Sequence, residues 1–82
     1  MDVQILKAAE EILHRLQQNG FCSVLVGGCV RDLLLGRPVH DWDIATSARP
    51  EQIARIFEKT VLTGARFGTV TVLHGGEPFE VT

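Results

Sequence analysis

Two carboxylates one residue apart, Asp41 and Asp43, and a diglycine leading to an arginine, Gly27-Gly28-Cys29-Val30-Arg31, are the residues whose types and spacing suit chemistry. On a strand, residues i and i+2 share a face, so Asp41 and Asp43 are expected to project together, about 6.6 Å apart along the backbone at ~3.3 Å per residue. Such side chains can converge on one Mg²⁺ or bracket two ions roughly 3.5–4 Å apart, as phosphoryl transfer requires. The competing reading is a solvated edge strand with two surface acids, which repulsion between like charges on one face disfavours. At the other end, Gly27 and Gly28 let a backbone come close to a ligand. A strand, a glycine turn and a helix N-terminus together offer free N–H groups and a favourable dipole to an anion. Arg31, leaning back along the first turn, would reach the same anion. A tight turn with a surface arginine paired to Asp32 explains these residues equally well, and the spacing alone leaves both readings open. Taken together, the two ends suggest a site for a nucleoside triphosphate and a divalent metal.

The elements that must position these residues follow from periodicity and punctuation. Residues 2–19 read as an amphipathic helix with a stripe of Val3, Leu6, Ala9, Leu13 and Leu16, widened by Ile5 and Ile12. Asp2 suits its N-cap and Gly20 its stop. His14 has no partner ligand at i±4 and reads as structural or solvated. Residues 21–26 form an apolar run expected to be a buried strand, ended by the diglycine. Residues 29–35 then read as a helix of about two turns closed by Gly36 and Pro38. A strand over 41–46 carries the two acids outward, with Trp42 and Ile44 facing a core. Residues 47–59 read as a second amphipathic helix, with Pro50 and Glu51 in its first turn and Ile53, Ile56 and Phe57 inward. Val61 and Leu62 suggest a short strand, residues 64–68 a mobile loop, and residues 69–74 an alternating strand. Gly75-Gly76 is a hairpin turn and residues 78–82 the returning strand.

Composition bounds what these elements can do. Eighty-two residues make one small domain, residues 1–82, which buries roughly 60–65% of its unfolded surface. No apolar run approaches the ~20 residues that span a bilayer, and the N-terminus lacks a basic flank and apolar signal core. No membrane role and a cytoplasmic location are therefore expected. Cys22 and Cys29 do not make a disulfide framework, and both are read as small hydrophobes in apolar surroundings. A formal charge of −2, with scattered Lys and Arg and few aromatics, argues against a chain that grips nucleic acid by itself.

The stretch Gly27-Gly28-Cys29-Val30-Arg31-Asp32-Leu33-Leu34-Leu35-Gly36-Arg37, followed by Asp41-Trp42-Asp43-Ile44-Ala45-Thr46, resembles the first motif of class II tRNA nucleotidyltransferases. These are the bacterial CCA-adding enzymes and the related bacterial poly(A) polymerases. The likeness continues through Ala45-Thr46-Ser47-Ala48-Arg49-Pro50-Glu51-Gln52-Ile53, Arg66-Phe67-Gly68-Thr69-Val70 and Phe79-Glu80-Val81-Thr82, so it covers nearly the whole chain. It implies an α+β fold, the palm-like head of the nucleotidyltransferase superfamily, with a small mixed sheet and helices on one face. It implies that Asp41 and Asp43 hold catalytic Mg²⁺ and that the diglycine, Gly27 and Gly28, and Arg31 meet the phosphates of the incoming CTP or ATP. Glu80 is the candidate third acid, an exposed strand glutamate being the competing reading.

The implied reaction is attack of a tRNA 3′-hydroxyl on the α-phosphorus of CTP or ATP, with pyrophosphate leaving. No protein nucleophile is needed. In the family, an Asp and an Arg on a later helix select the base, and neck, body and tail hold the tRNA; none of these is in this stretch. The alternating strand that stops at Thr82 suggests a piece of a longer protein. Whether the parent adds CCA, adds A alone or makes poly(A) depends on those later segments. A haloacid-dehalogenase-like phosphatase would need an apolar strand before Asp41, where residues 36–40 read as a loop. A glycosyltransferase metal site leaves the diglycine and Arg31 unexplained, and a Walker-type NTPase lacks its Gly-Lys-Ser/Thr. The non-enzyme alternative is a folded piece that catalyses nothing and forms a homo-oligomer through an unfinished edge strand at its end.

Overall fold

The computed structural model describes residues 3–39 and 41–82. The cap expected at Asp2, the place of Val3 in the apolar stripe and the loop residue His40 lie outside what is described. In chain order the elements are α1 (Val3–Gln18), β1 (Ser23–Val26), α2 (Gly28–Leu34), β2 (Asp43–Thr46), α3 (Pro50–Ile56), β3 (Thr60–Val61), a 3₁₀ turn (Ala65–Phe67), β4 (Val70–His74) and β5 (Glu77–Val81). The five strands form one mixed sheet in the order β1-β2-β5-β4-β3. Only β2 and β5 run parallel.

The inner face of the sheet is apolar because the strands alternate. Val70, Val72, Phe79, Val81 and Ile44 point to one side and are fully buried. They meet Ala9, Ile12 and Leu16 of α1 and Ile53 of α3, so the helices pack on that side alone. Burying side chains of this size contributes roughly 1.5–3 kcal/mol each. Trp42 is buried against Phe79, with ring centroids 6.0 Å apart. The hydroxyl of the buried Ser23 donates to the Leu13 carbonyl at 2.9 Å, tying β1 to α1. Thr46 donates to the Cys22 carbonyl, and the Cys22 N–H donates to Ser47 Oγ, closing the far end of the β1–β2 pair.

Several expectations shift against this frame. β1 is an edge strand, and Val24 on its outer face is 57% exposed, so the run is only half buried. Cys22 is exposed; only Cys29 is buried. The second helix is confined to Pro50–Ile56, where Pro50 takes the first position and the Arg49 N–H donates to Gln52 Oε1 at 2.8 Å. His14 is exposed, as its lack of partners suggested. The largest correction concerns the terminal strand. β5 is the middle strand of the sheet, hydrogen-bonded to β4 on one side and β2 on the other. The Thr82 N–H donates to the Ile44 carbonyl and the Thr46 N–H to the Thr82 carbonyl, both at 2.8 Å. The end of the chain is thus a filled position, and self-association through an unfinished terminal strand loses its basis.

Candidate active site

Gly27 ends β1 with φ 75° and ψ −153°, which turns the chain out of the sheet and into α2. A Cβ at Gly27 would stand 3.2 Å from Asp43 Oδ2, so the turn lies directly against that carboxylate. Cys29, one residue into α2 and only 1% exposed, donates its thiol to the Val26 carbonyl at 2.9 Å and lies 3.7 Å from the Asp43 carbonyl. It is therefore more than the small hydrophobe its surroundings suggested. It pins the diglycine turn to the start of β2. The Arg31 guanidinium curls back so that a Cβ at Gly28 would be 3.4 Å from its Nη2. Its Nε also pairs with Asp32 at 3.5 Å. The backward lean and the Asp32 pairing thus coexist, and the exposed Arg31 side chain stands over the turn.

The expected strand over 41–46 begins two residues late, at Asp43. β1 pairs with β2 only up to Val26↔Asp43, because Gly27 leads the chain away. Trp42 has a partner on the β5 side alone, where its carbonyl accepts from the Glu80 N–H at 3.0 Å. Asp41 is exposed and lies two residues before the strand begins. Asp43 is half-buried and points to the outer face, opposite to Ile44.

Register joins Asp43 to residues far away in sequence. Val26 pairs with Asp43, Asp43 with Glu80, Glu80 with Thr71 and Thr71 with Val61. One transverse row thus crosses all five strands on the helix-free face, three polar side chains flanked by two valines. Glu80 Oε1 accepts a hydrogen bond from Thr71 Oγ1 at 2.9 Å. Glu80, which the sequence offered as a third acid, lies beside Asp43 on the neighbouring strand. Thr71 was not singled out. Its outward direction is legible in the alternation of 69–74, but its pairing with Glu80 is a matter of register.

Among the described residues, no three His, Cys, Asp or Glu side chains gather closely enough to hold a metal by themselves. Mg²⁺ commonly takes one or two carboxylates and completes its shell with water and substrate phosphates. Asp43 and Glu80 fit that mode. They are two acids directly opposite one another, which repel unless a cation lies between them. Among the described residues, hollows are seen on the opposite side of the sheet. Two of about 390 and 680 Å³ flank His74 on the helix side of the sheet. Register brings the two carboxylates together on the helix-free face.

The poly(A) polymerase head-domain family matches residues 23–82, from the first strand to the last residue. The chain belongs to that family. It is 52% identical over 79 residues to the CCA-adding enzyme of Lactobacillus delbrueckii subsp. bulgaricus, which covers 96% of this chain and 20% of that protein. It is 55% identical over 71 residues to the CCA-adding enzyme of Geobacillus stearothermophilus, covering 87% of this chain and 18% of that one. A crystal structure of the Bacillus stearothermophilus CCA-adding enzyme in complex with CTP superposes with a TM-score of 0.87 and 53% identity, over 93% of this chain and 19% of the other. The chain therefore spans about a fifth of the length of these relatives. The α+β head fold that the motif implied is the fold observed.

Proposed function

We propose that this chain carries the metal and phosphate end of a nucleotidyl-transfer site, acting in a CCA-adding reaction from CTP and ATP to a tRNA 3′ end. The observation that carries the proposal is the closeness of the two ends: the diglycine turn lies 3.2 Å, measured from an added Cβ, from the carboxylate of Asp43. The identity to CCA-adding enzymes, one of them crystallised in complex with CTP, supports the choice of substrate.

Each residue then has a task. The exposed Arg31 and the N–H groups of the turn bind and orient the triphosphate. α2 has only seven residues, so the guanidinium rather than a helix dipole supplies most of the attraction. Asp43 and Glu80, with Asp41 from the segment before β2, would hold Mg²⁺. A bound Mg²⁺ would supply charge neutralisation on the phosphates and a lowered pKa for the attacking hydroxyl. Gly27 keeps the space between turn and carboxylate open, and Cys29 holds the two together. Selection of the base and grip on tRNA are assigned to parts of the relatives beyond the fifth that this chain matches.

Titration of the chain with CTP in the presence and absence of Mg²⁺ tests the reading. Saturable binding that requires the metal and is lost in Asp43→Asn is the expected result. Binding indifferent to both metal and Asp43 would remove the proposal.

A further inference from the structure

We infer that Thr71 is a positioning residue for Glu80, an outer-shell partner that holds this carboxylate in place for the metal. This rests on the carboxylate reading above and extends it to a residue on a third strand. The pair is a cross-strand contact at Thr71↔Glu80 in β4 and β5, and its hydrogen bond is 2.9 Å long. Glu80 in turn is in register with Asp43 across the β5–β2 pair.

The physical need for such a partner follows from the row itself. A glutamate side chain has three rotatable bonds, and ordering one costs up to about 1.5–2 kcal/mol of rotamer freedom. Glu80 also stands directly beside a second carboxylate, which drives it away unless something fixes it. The hydroxyl of Thr71 does so through one oxygen, Oε1. Threonine is stiff at χ1, so the donor is itself held in place by its strand. Carboxylates that bind metals are typically fixed in this manner, and loss of the outer partner commonly lowers metal affinity about 10–100-fold. Valine at Thr71's other neighbour, Val61, offers no competing polar group.

Thr71→Val is the test, since valine keeps the shape and the strand preference and removes only the hydroxyl. Mn²⁺ serves as the probe, titrated into the whole chain and followed by electron paramagnetic resonance of the free ion. Thermal unfolding of each variant provides the fold control. Thr71→Val is expected to raise the Mn²⁺ dissociation constant at least about tenfold, with an unchanged melting temperature. Thr71→Ser, which restores a donor, is expected to recover most of the affinity. Glu80→Gln and Asp43→Asn are the reference losses. Equal Mn²⁺ binding by Thr71→Val and the parent, with Glu80→Gln weakened, would overturn the role of Thr71 and leave the carboxylate reading standing. Thr71→Ser binding as poorly as Thr71→Val would overturn it too, because the defect would then lie in packing. A parent chain whose Mn²⁺ binding is insensitive to Asp43→Asn would overturn both.

Discussion

A single added carbon at Gly27 would report on the whole site. Its backbone, φ 75° and ψ −153°, lies in a region that only glycine occupies readily. A side chain there also meets Asp43 Oδ2 at 3.2 Å. Gly27→Ala is expected to cost roughly 1–3 kcal/mol of stability from the backbone alone. It should weaken Mn²⁺ binding as well, because the carboxylate must move. Gly20 is the matched control: its φ is 87°, but nothing lies within 4 Å of an added Cβ. Gly20→Ala should lower stability and leave metal affinity unchanged. Urea unfolding and Mn²⁺ titration on the two variants separate backbone strain from displacement of Asp43. Equal metal affinity in both would show that the close approach has no functional consequence. The diglycine was legible in the sequence as a place of close approach. Its neighbour was not, because Asp43 comes against it only through the antiparallel pairing of β1 and β2.

Elements were legible to the extent that their signals were local. α1 shows in its three- and four-residue spacing, and the β4–β5 hairpin in its alternation around Gly75-Gly76. The start of β2 was not legible, because it depends on where β1 stops offering partners. Nor was the parallel β2–β5 pairing, which places Glu80 beside Asp43 across a long crossover. One more contact of this kind joins α1 to the hairpin: His74 Nε2 lies 2.8 Å from Glu11 Oε2. The hydrogen bond from His74 is the largest influence on the Glu11 carboxyl and, with the lesser help of the charges of His74, Lys7 and Arg15, holds it below its ordinary value of 4.5 against the opposing effect of desolvation. Folded, Glu11 binds its proton less readily than unfolded. Its stabilisation is therefore present above pH 4.5 and is lost as pH falls through the lowered folded value. Glu11→Gln should lower the melting temperature slightly above pH 4.5 and not at the acid end, so the two curves converge on acidification. Because Glu11 is exposed, salt should shrink the difference. A constant gap at all pH values would mean that the tie contributes nothing through charge.

At the scale of the molecule, the helix-free face of the sheet is where the proposed site lies. It carries Asp43, Thr71 and Glu80 in its central row, and around them the exposed apolar side chains Val24, Val61 and Leu73. The contacts available to a nucleotide are therefore unequal along its length. In the proposed site, phosphates would find a guanidinium, backbone N–H groups and, through a cation, two carboxylates. Among these residues none presents the donor and acceptor pattern that tells cytosine from adenine, and discrimination of that kind requires polar groups placed against the base edge. The same holds for tRNA. A net charge of −2 offers little to a polyanion, whose binding depends on clustered Lys and Arg. CTP and ATP should therefore bind this chain with equal affinity in the presence of Mg²⁺. Both affinities should drop together in Asp43→Asn and Arg31→Ala, since the shared triphosphate is what is held. Extension of a tRNA lacking its terminal nucleotides should be undetectable or very slow with the 82 residues alone. Competition titration with the two nucleotides and a gel-based extension assay measure these outcomes. Ordered addition of C, C and A by this chain would show that base selection is already complete on the sheet face, and would require a reader of the base edge within these residues.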